Sequence, residues 1–302
     1  MKVIYYVFCI IFFCNCSSSD EIFKESTTNI EFLENETILY KQNAVNGNLT
    51  SLDIYTVPNS KVVKPIVIWV HGGAWVTGDK ANDMQRKAPF FNNLGYVFIS
   101  INYRLSPFPY EVNNNARIKH PAHIIDIADA LQWIYNNIEK YGGDTSNIVL
   151  LGHSAGAHLV ALAGVNQQLF LDRDINFKNI KGVISLDTQA YNVPYAINNL
   201  TQQELYVNAF SDDKTLQKNA SPYHQLDNFG NTVPNWLFAS RGTTVRKEIL
   251  NAFVEKLQSK NGISEIVAMD GYSHEDINDL IADTSNTILS RKISVFLEKV
   301  FN

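Results

Sequence analysis

A serine set between two glycines, Gly152-His153-Ser154-Ala155-Gly156, carries the first chemical signal in the chain. The apolar run Asn147 to Leu151 precedes it and reads as a buried parallel strand. Ala157 to Ala163 follows, dense in helix formers. A serine at such a strand-to-helix turn sits on a sharp backbone bend that only flanking glycines permit, with its hydroxyl at the end of the sheet. The chemistry this suits is nucleophilic attack on a carbonyl.

Two further groups fit that chemistry. Pro65 to Val70 reads as a second buried strand and runs into His71-Gly72-Gly73-Ala74-Trp75. Glycines there let main-chain N–H groups face a cleft without side chains in the way, as an oxyanion hole requires. Gly72, Gly73 and Ala74 are its candidate donors, completed by Ala155, the residue after the serine. Late in the chain, Ile263 to Met269 reads as a final strand, and His274 lies on the loop after it. A neutral imidazole is suited to taking the serine proton and returning it.

The acid that would orient His274 is the open question. The segment Asn235 to Glu248 holds a strand and the turn after it, yet contains no aspartate. One strand earlier, Ile180 to Leu186 ends at Asp187, the leading candidate. Glu248, Glu275 and Asp276 are alternatives, and a serine–histidine dyad without an acid is the remaining one.

With HGGAW at 71–75, NYRLSP at 102–107, GHSAG at 152–156 and GYSHEDI at 271–277, the chain resembles α/β-hydrolases of one branch. That branch holds hormone-sensitive-lipase-like esterases, feruloyl and acetyl-xylan esterases, and kynurenine formamidases. The resemblance spans roughly residues 65 to 280 and implies a mostly parallel eight-stranded sheet with helices on both faces and an inserted lid. It implies a serine carboxylesterase acting on small-acyl or aromatic esters, among them polysaccharide-linked ones. A formamidase-like amide hydrolase and a non-catalytic binding protein on the same fold are the alternatives. In the usual family pattern the acid follows the next-to-last strand, and this chain departs from that pattern.

Composition agrees with an α/β domain. The 302 residues are 45% apolar and 12% aromatic, enough for a large core. A net charge of −5 argues against a nucleic-acid partner, which would call for a basic stripe. His120, His123 and Asp126 cluster at a helix start, but without further ligands this spacing reads as structural, and no metal or cofactor is expected. His153 and His158 read as packing residues.

At the N-terminus, Met1-Lys2 and the short apolar run Val3 to Phe13 read as a signal peptide over residues 1–16, too short for a membrane span. Cys16, followed by serines and acids, is the candidate lipidation site of an exported, membrane-anchored lipoprotein; ordinary secretion is the alternative. A polar tether covers 17–35, and the hydrolase domain 36–302.

Strands are expected near 37–42, 49–57, 65–71, 96–103, 147–152, 181–187, 235–240 and 263–269, with helices near 121–140, 155–165, 246–260 and 285–300. The stretch at about 188–233 shows no strand pattern and reads as a lid or acyl-pocket insert. Tyr191, Tyr195, Tyr206 and Phe210 are its candidate substrate-facing aromatics, with Phe108 and Tyr110 on another wall.

Overall fold

The structure is a computed structural model and describes residues 34–42, 44–57, 62–109, 114–228, 233–285 and 287–302. The leader, Cys16, most of the tether and Tyr110 lie outside the described residues. Eight strands form one sheet: β1 Glu34–Leu39, β2 Ser51–Thr56, β3 Lys64–Val70, β4 Val97–Ile101, β5 Gly143–His153, β6 Ile180–Leu186, β7 Asn235–Ser240 and β8 Ser264–Ala268. Their spatial order is β1-β2-β4-β3-β5-β6-β7-β8. β2 runs antiparallel to both β1 and β4, and all later pairings are parallel. This is the expected α/β-hydrolase architecture.

The central strands are apolar on both faces, so successive residues enter two different cores. Ile66, Ile68 and Val70 of β3 pack with Ile127, Leu131, Leu159, Leu162 and Phe253. Val67 and Trp69 point the other way, toward Phe91, Ile293, Phe296 and Leu297. The first core belongs to helices Ala122–Asn137, Ala155–Ala163 and Thr244–Gln258, the second to Met84–Asn93 and Ile288–Phe301.

Sheet order sets where a site can form. β3 connects to β4 on one side, whereas β5 connects to β6 on the other. Their C-terminal loops diverge, leaving a crevice between β3 and β5, the switch point at which open α/β sheets bind ligands.

Two helical regions carry little signal in the sequence. The helix Met84–Asn93 carries Pro89 in its interior, a residue that masks a helical pattern in sequence. The insert is built from short helices, Val193–Asn199, Gln203–Phe210, Lys214–Asn219 and Pro222–Gln225, too brief to show periodicity.

Candidate active site

Ser154 follows β5 with φ 57° and ψ −119°, a sparsely populated conformation costing on the order of 1–3 kcal/mol. Its neighbours explain why the chain tolerates it. A Cβ on Gly156 would lie 2.0 Å from the Val70 carbonyl oxygen, and one on Gly152 would lie 2.4 Å from that of Gly156. Both positions need glycine because main chain passes where a side chain would sit. The Ser154 N–H donates to the Leu186 carbonyl at 2.9 Å, tying the turn to β6.

The glycine loop after β3 presses against this serine. A Cβ on Gly72 would come within 3.0 Å of Ser154 Cβ. Gly73, Ala74 and Trp75 all have positive φ, at 107°, 50° and 62°, and the Gly73 carbonyl accepts the N–H groups of Val76 and Thr77. The turn is buttressed from behind by the NYRLSP segment. Tyr103 stacks on His71 at 4.5 Å and donates its hydroxyl to the His71 carbonyl at 3.1 Å, while the Ser106 N–H donates to the Trp75 carbonyl at 2.8 Å. Gly72, Gly73 and Ala74 line one cleft beside Ser154, and Ala74 and Ala155 line a second that also reaches Ser154.

Asp187 directly follows β6 with φ 53°, and its N–H donates to the Ala239 carbonyl at 2.8 Å. Its side chain is buried and accepts from His274 Nδ1 at 2.5 Å. His274 opens the short helix His274–Asp279, which is fixed by a capping box. In that box the Asp276 N–H donates to Ser273 Oγ, and the Ser273 N–H to Asp276 Oδ2. The box occupies Asp276. Glu248 and Glu275 are exposed, and Asp187 is the acid that meets the imidazole. The described hydrogen bonds include none between Ser154 Oγ and His274, although both side chains line the same cleft. Such contacts are often long without substrate.

Two arginines escaped the sequence reading. Arg241, just after β7, donates Nε to Asp187 Oδ2 at 2.7 Å, and Arg246 donates from its terminal nitrogen to Oδ1. The segment that lacks an aspartate therefore supplies two guanidiniums, one from the turn and one from the start of the next helix, to the acid next door. The available signal was two arginines five residues apart where a carboxylate was sought. Burial alone would raise the Asp187 pKa, but the hydrogen bond from His274 and the charges of Arg246, His274 and Arg241 outweigh it and bring it down to about 2.

His153 also belongs to the site, with its ring 4.3 Å from that of His274. Burial, helped by the charge of His274, lowers its pKa to about 3, so it stays neutral beside its neighbour. Potential ligand atoms of His153, Asp187 and His274 lie within 4.8 Å of one another. A metal there would have to displace the two guanidiniums and the imidazole already on Asp187. His158 packs as expected, its Nε2 2.7 Å from the Ala220 carbonyl oxygen. His123 pairs with Ser106 Oγ at 3.0 Å, and Asp126 is held by Arg104 and Lys41, a structural cluster.

Two clefts of about 600 and 630 Å³ meet at Ser154 and His274. The insert walls both through Gln202 and Leu205 and the first through Tyr206, while Phe108 lines the second. Tyr191 and Phe210 do not face substrate space. Tyr191 stacks on Phe253 at 4.9 Å, and Phe210 packs on Trp75 at 4.7 Å. Tyr195 is exposed and lines neither cleft. Aromatic content alone did not separate pocket from core.

Esterase LipQ of Mycobacterium tuberculosis is 38% identical over 122 residues, 40% of this chain and 27% of the relative. The chain thus spans about a quarter of the length of curated relatives it matches. A truncated carbohydrate esterase from gut microbiota superposes with TM-score 0.67 at 19% identity, covering 89% of this chain and 96% of the other. A bifunctional GH43-CE protein of Bacteroides eggerthii gives TM-score 0.71 at 20% identity, covering 89% of this chain and 38% of the other. Both share the fold. The BD-FAE family matches residues 52–228, more than half of the chain and the stretch that holds the glycine loop, Ser154 and Asp187, so this protein belongs to the BD-FAE family of the α/β-hydrolase superfamily.

Proposed function

We propose that the protein is a serine carboxylesterase working through an acyl-enzyme on Ser154. The observation that carries this reading is the His274 Nδ1–Asp187 contact on the rim of a cleft that also holds Ser154 and the glycine loop. With Nδ1–H given to Asp187, Nε2 is the free base that takes the Ser154 proton as Oγ attacks the ester carbonyl. The Asp187 carboxylate stabilises the imidazolium that results. N–H groups of Gly72, Gly73, Ala74 and Ala155 supply the donors for the oxyanion, each worth roughly 2.7–4 kcal/mol of transition-state energy. His274 then protonates the leaving alcohol, and water repeats the sequence to free the acid.

Small-acyl and aromatic esters fit clefts of this size, and the carbohydrate-esterase neighbours favour sugar-linked esters among them. Hydrolysis of p-nitrophenyl acetate through octanoate by wild type and Ser154→Ala is the test. Activity that falls with acyl length and vanishes in the variant is expected; folded wild-type protein inert toward every ester would refute the reading. The same proposal makes the protein an exported lipoprotein, a reading supported by the short apolar leader and Cys16 in the sequence. Labelling cells with an alkyne palmitate checks that part, and a label indifferent to Cys16→Ser would defeat it.

A further inference from the structure

The two clefts that meet at Ser154 differ in charge. Arg241 and Arg246 line the first, and Asp187 is the one acid among its lining residues. In the second, Lys87 is answered by both Asp83 and Glu275. With His274 neutral, the first carries one excess positive charge and the second one excess negative charge.

The arginines also have donors to spare. Together they carry about ten N–H bonds. The described hydrogen bonds from their side chains use one nitrogen of each, both toward Asp187. Arg246 Nε is buried with no partner, and the Arg246 side chain is only 11% exposed. The Arg241 side chain is 25% exposed, open to the cleft it lines. Buried donors left unpaired and a charge left uncompensated both cost free energy, and both costs are relieved by an anion. Thr188, Gln189, Thr201 and Gln202 extend the polar wall with neutral groups.

We propose that the first cleft selects esters bearing a carboxylate on the part that lies beside Arg241 and Arg246. This deepens the esterase reading and rests on it. A carboxylate matches the single excess charge and the planar guanidinium fork, whereas a phosphate dianion would overshoot that charge. The carboxylate belongs either to the acyl part, as in the half ester of a dicarboxylic acid, or to the alcohol part, as in an esterified hydroxy acid. Substrate arms separate these sources.

The experiment compares kcat/KM for charged esters and neutral isosteres, normalised to their rates in hydroxide. Mono-p-nitrophenyl succinate against its methyl ester probes the acyl arm, and 3-carboxyphenyl acetate against 3-carbamoylphenyl acetate probes the alcohol arm. A charged-to-neutral ratio of roughly tenfold or more is expected in one arm, since hydrogen bonds to charged groups are the stronger ones. The ratio should shrink as salt is added. Arg241→Gln should bring it toward one, while Arg241→Lys, which keeps the charge but not the fork, keeps only part of it. General damage to catalysis lowers both rates of a pair and cancels in the ratio. A ratio at or below one in both arms, with the neutral esters hydrolysed, overturns the proposal. So does a preference that survives both Arg241→Gln and Arg246→Gln. Failure to hydrolyse any ester speaks instead against the esterase reading.

Discussion

Replacing Asp187 by asparagine separates two roles that the structure gives to one carboxylate. The first role is to hold His274, through the 2.5 Å contact to Nδ1. An amide there stabilises the wrong tautomer, and the analogous change in a serine protease lowers kcat about 10⁴-fold. The second role is to neutralise Arg241 and Arg246. Removing one partner of a buried ion pair costs roughly 3–5 kcal/mol, and the 25% exposure of Arg241 argues for the low end. A loss of about 3 kcal/mol lowers Tm by roughly 6–12 °C in a domain of this size. The assays are kcat/KM on p-nitrophenyl acetate at a temperature where the variant is folded, and Tm by calorimetry. Adding Arg246→Gln to Asp187→Asn removes the most deeply buried unpaired charge, so Tm should recover while kcat/KM should not. If Asp187→Asn keeps kcat/KM within tenfold of wild type while Ser154→Ala is inactive, Asp187 is not the triad acid. If its Tm is unchanged, the charge argument is wrong.

Further expectations follow from single sites. With its pKa brought from about 3.8 to about 2, Asp187 adds stability that is complete above pH 4 and lost as pH falls toward 2, worth about 2 kcal/mol; acid unfolding of wild type and Asp187→Asn should converge at pH 2, and parallel curves would contradict this. Gly156→Ala places a methyl 2.0 Å from the Val70 oxygen, so a loss of roughly 3 kcal/mol is expected in denaturant titration, with esterase activity falling as the turn shifts. Lys87 is buried over the Trp69 ring at 4.8 Å with one long contact to Asp83, so Lys87→Met should leave Tm unchanged or raise it, and a fall of more than 5 °C would show that the charge is better satisfied than it looks. Trp75 joins the glycine loop to Tyr206 and Phe210, so Trp75→Ala should cost roughly 3–5 kcal/mol and loosen the cleft wall, readable as a lower Tm and a raised KM.

Much of this protein was legible in one dimension. Strong short-range patterns, namely short apolar runs bounded by polar or glycine turns, placed β3, β5, β6 and β7 to within a few residues, and their order specified a parallel sheet. Ser154 and the glycine loop were legible for a steric reason: main chain passes through the space a Cβ would fill, so only glycine serves at Gly152 and Gly156. Where the pattern was weak the reading was weak, as in the Pro89 helix and the short helices of the insert.

Tertiary structure decided the rest because the deciding contacts join residues far apart in the chain. Asp187 was one of four candidate acids until β6 and β8 carried it to His274, 87 residues away. The absence of an acid after β7 read as a gap in the sequence; in space it is two arginines closing on the neighbouring carboxylate. Their effect depends on burial and distance, which set the strength of a charge and are not written in residue order. Aromatics of the insert fell to pocket or core by the same logic, Tyr206 on the cleft and Tyr191 stacked on Phe253 in the interior, according to contacts with distant elements. Sequence determined the kind of chemistry and the elements that present it. The fold determined which charged groups meet, and with them the polarity of the cleft.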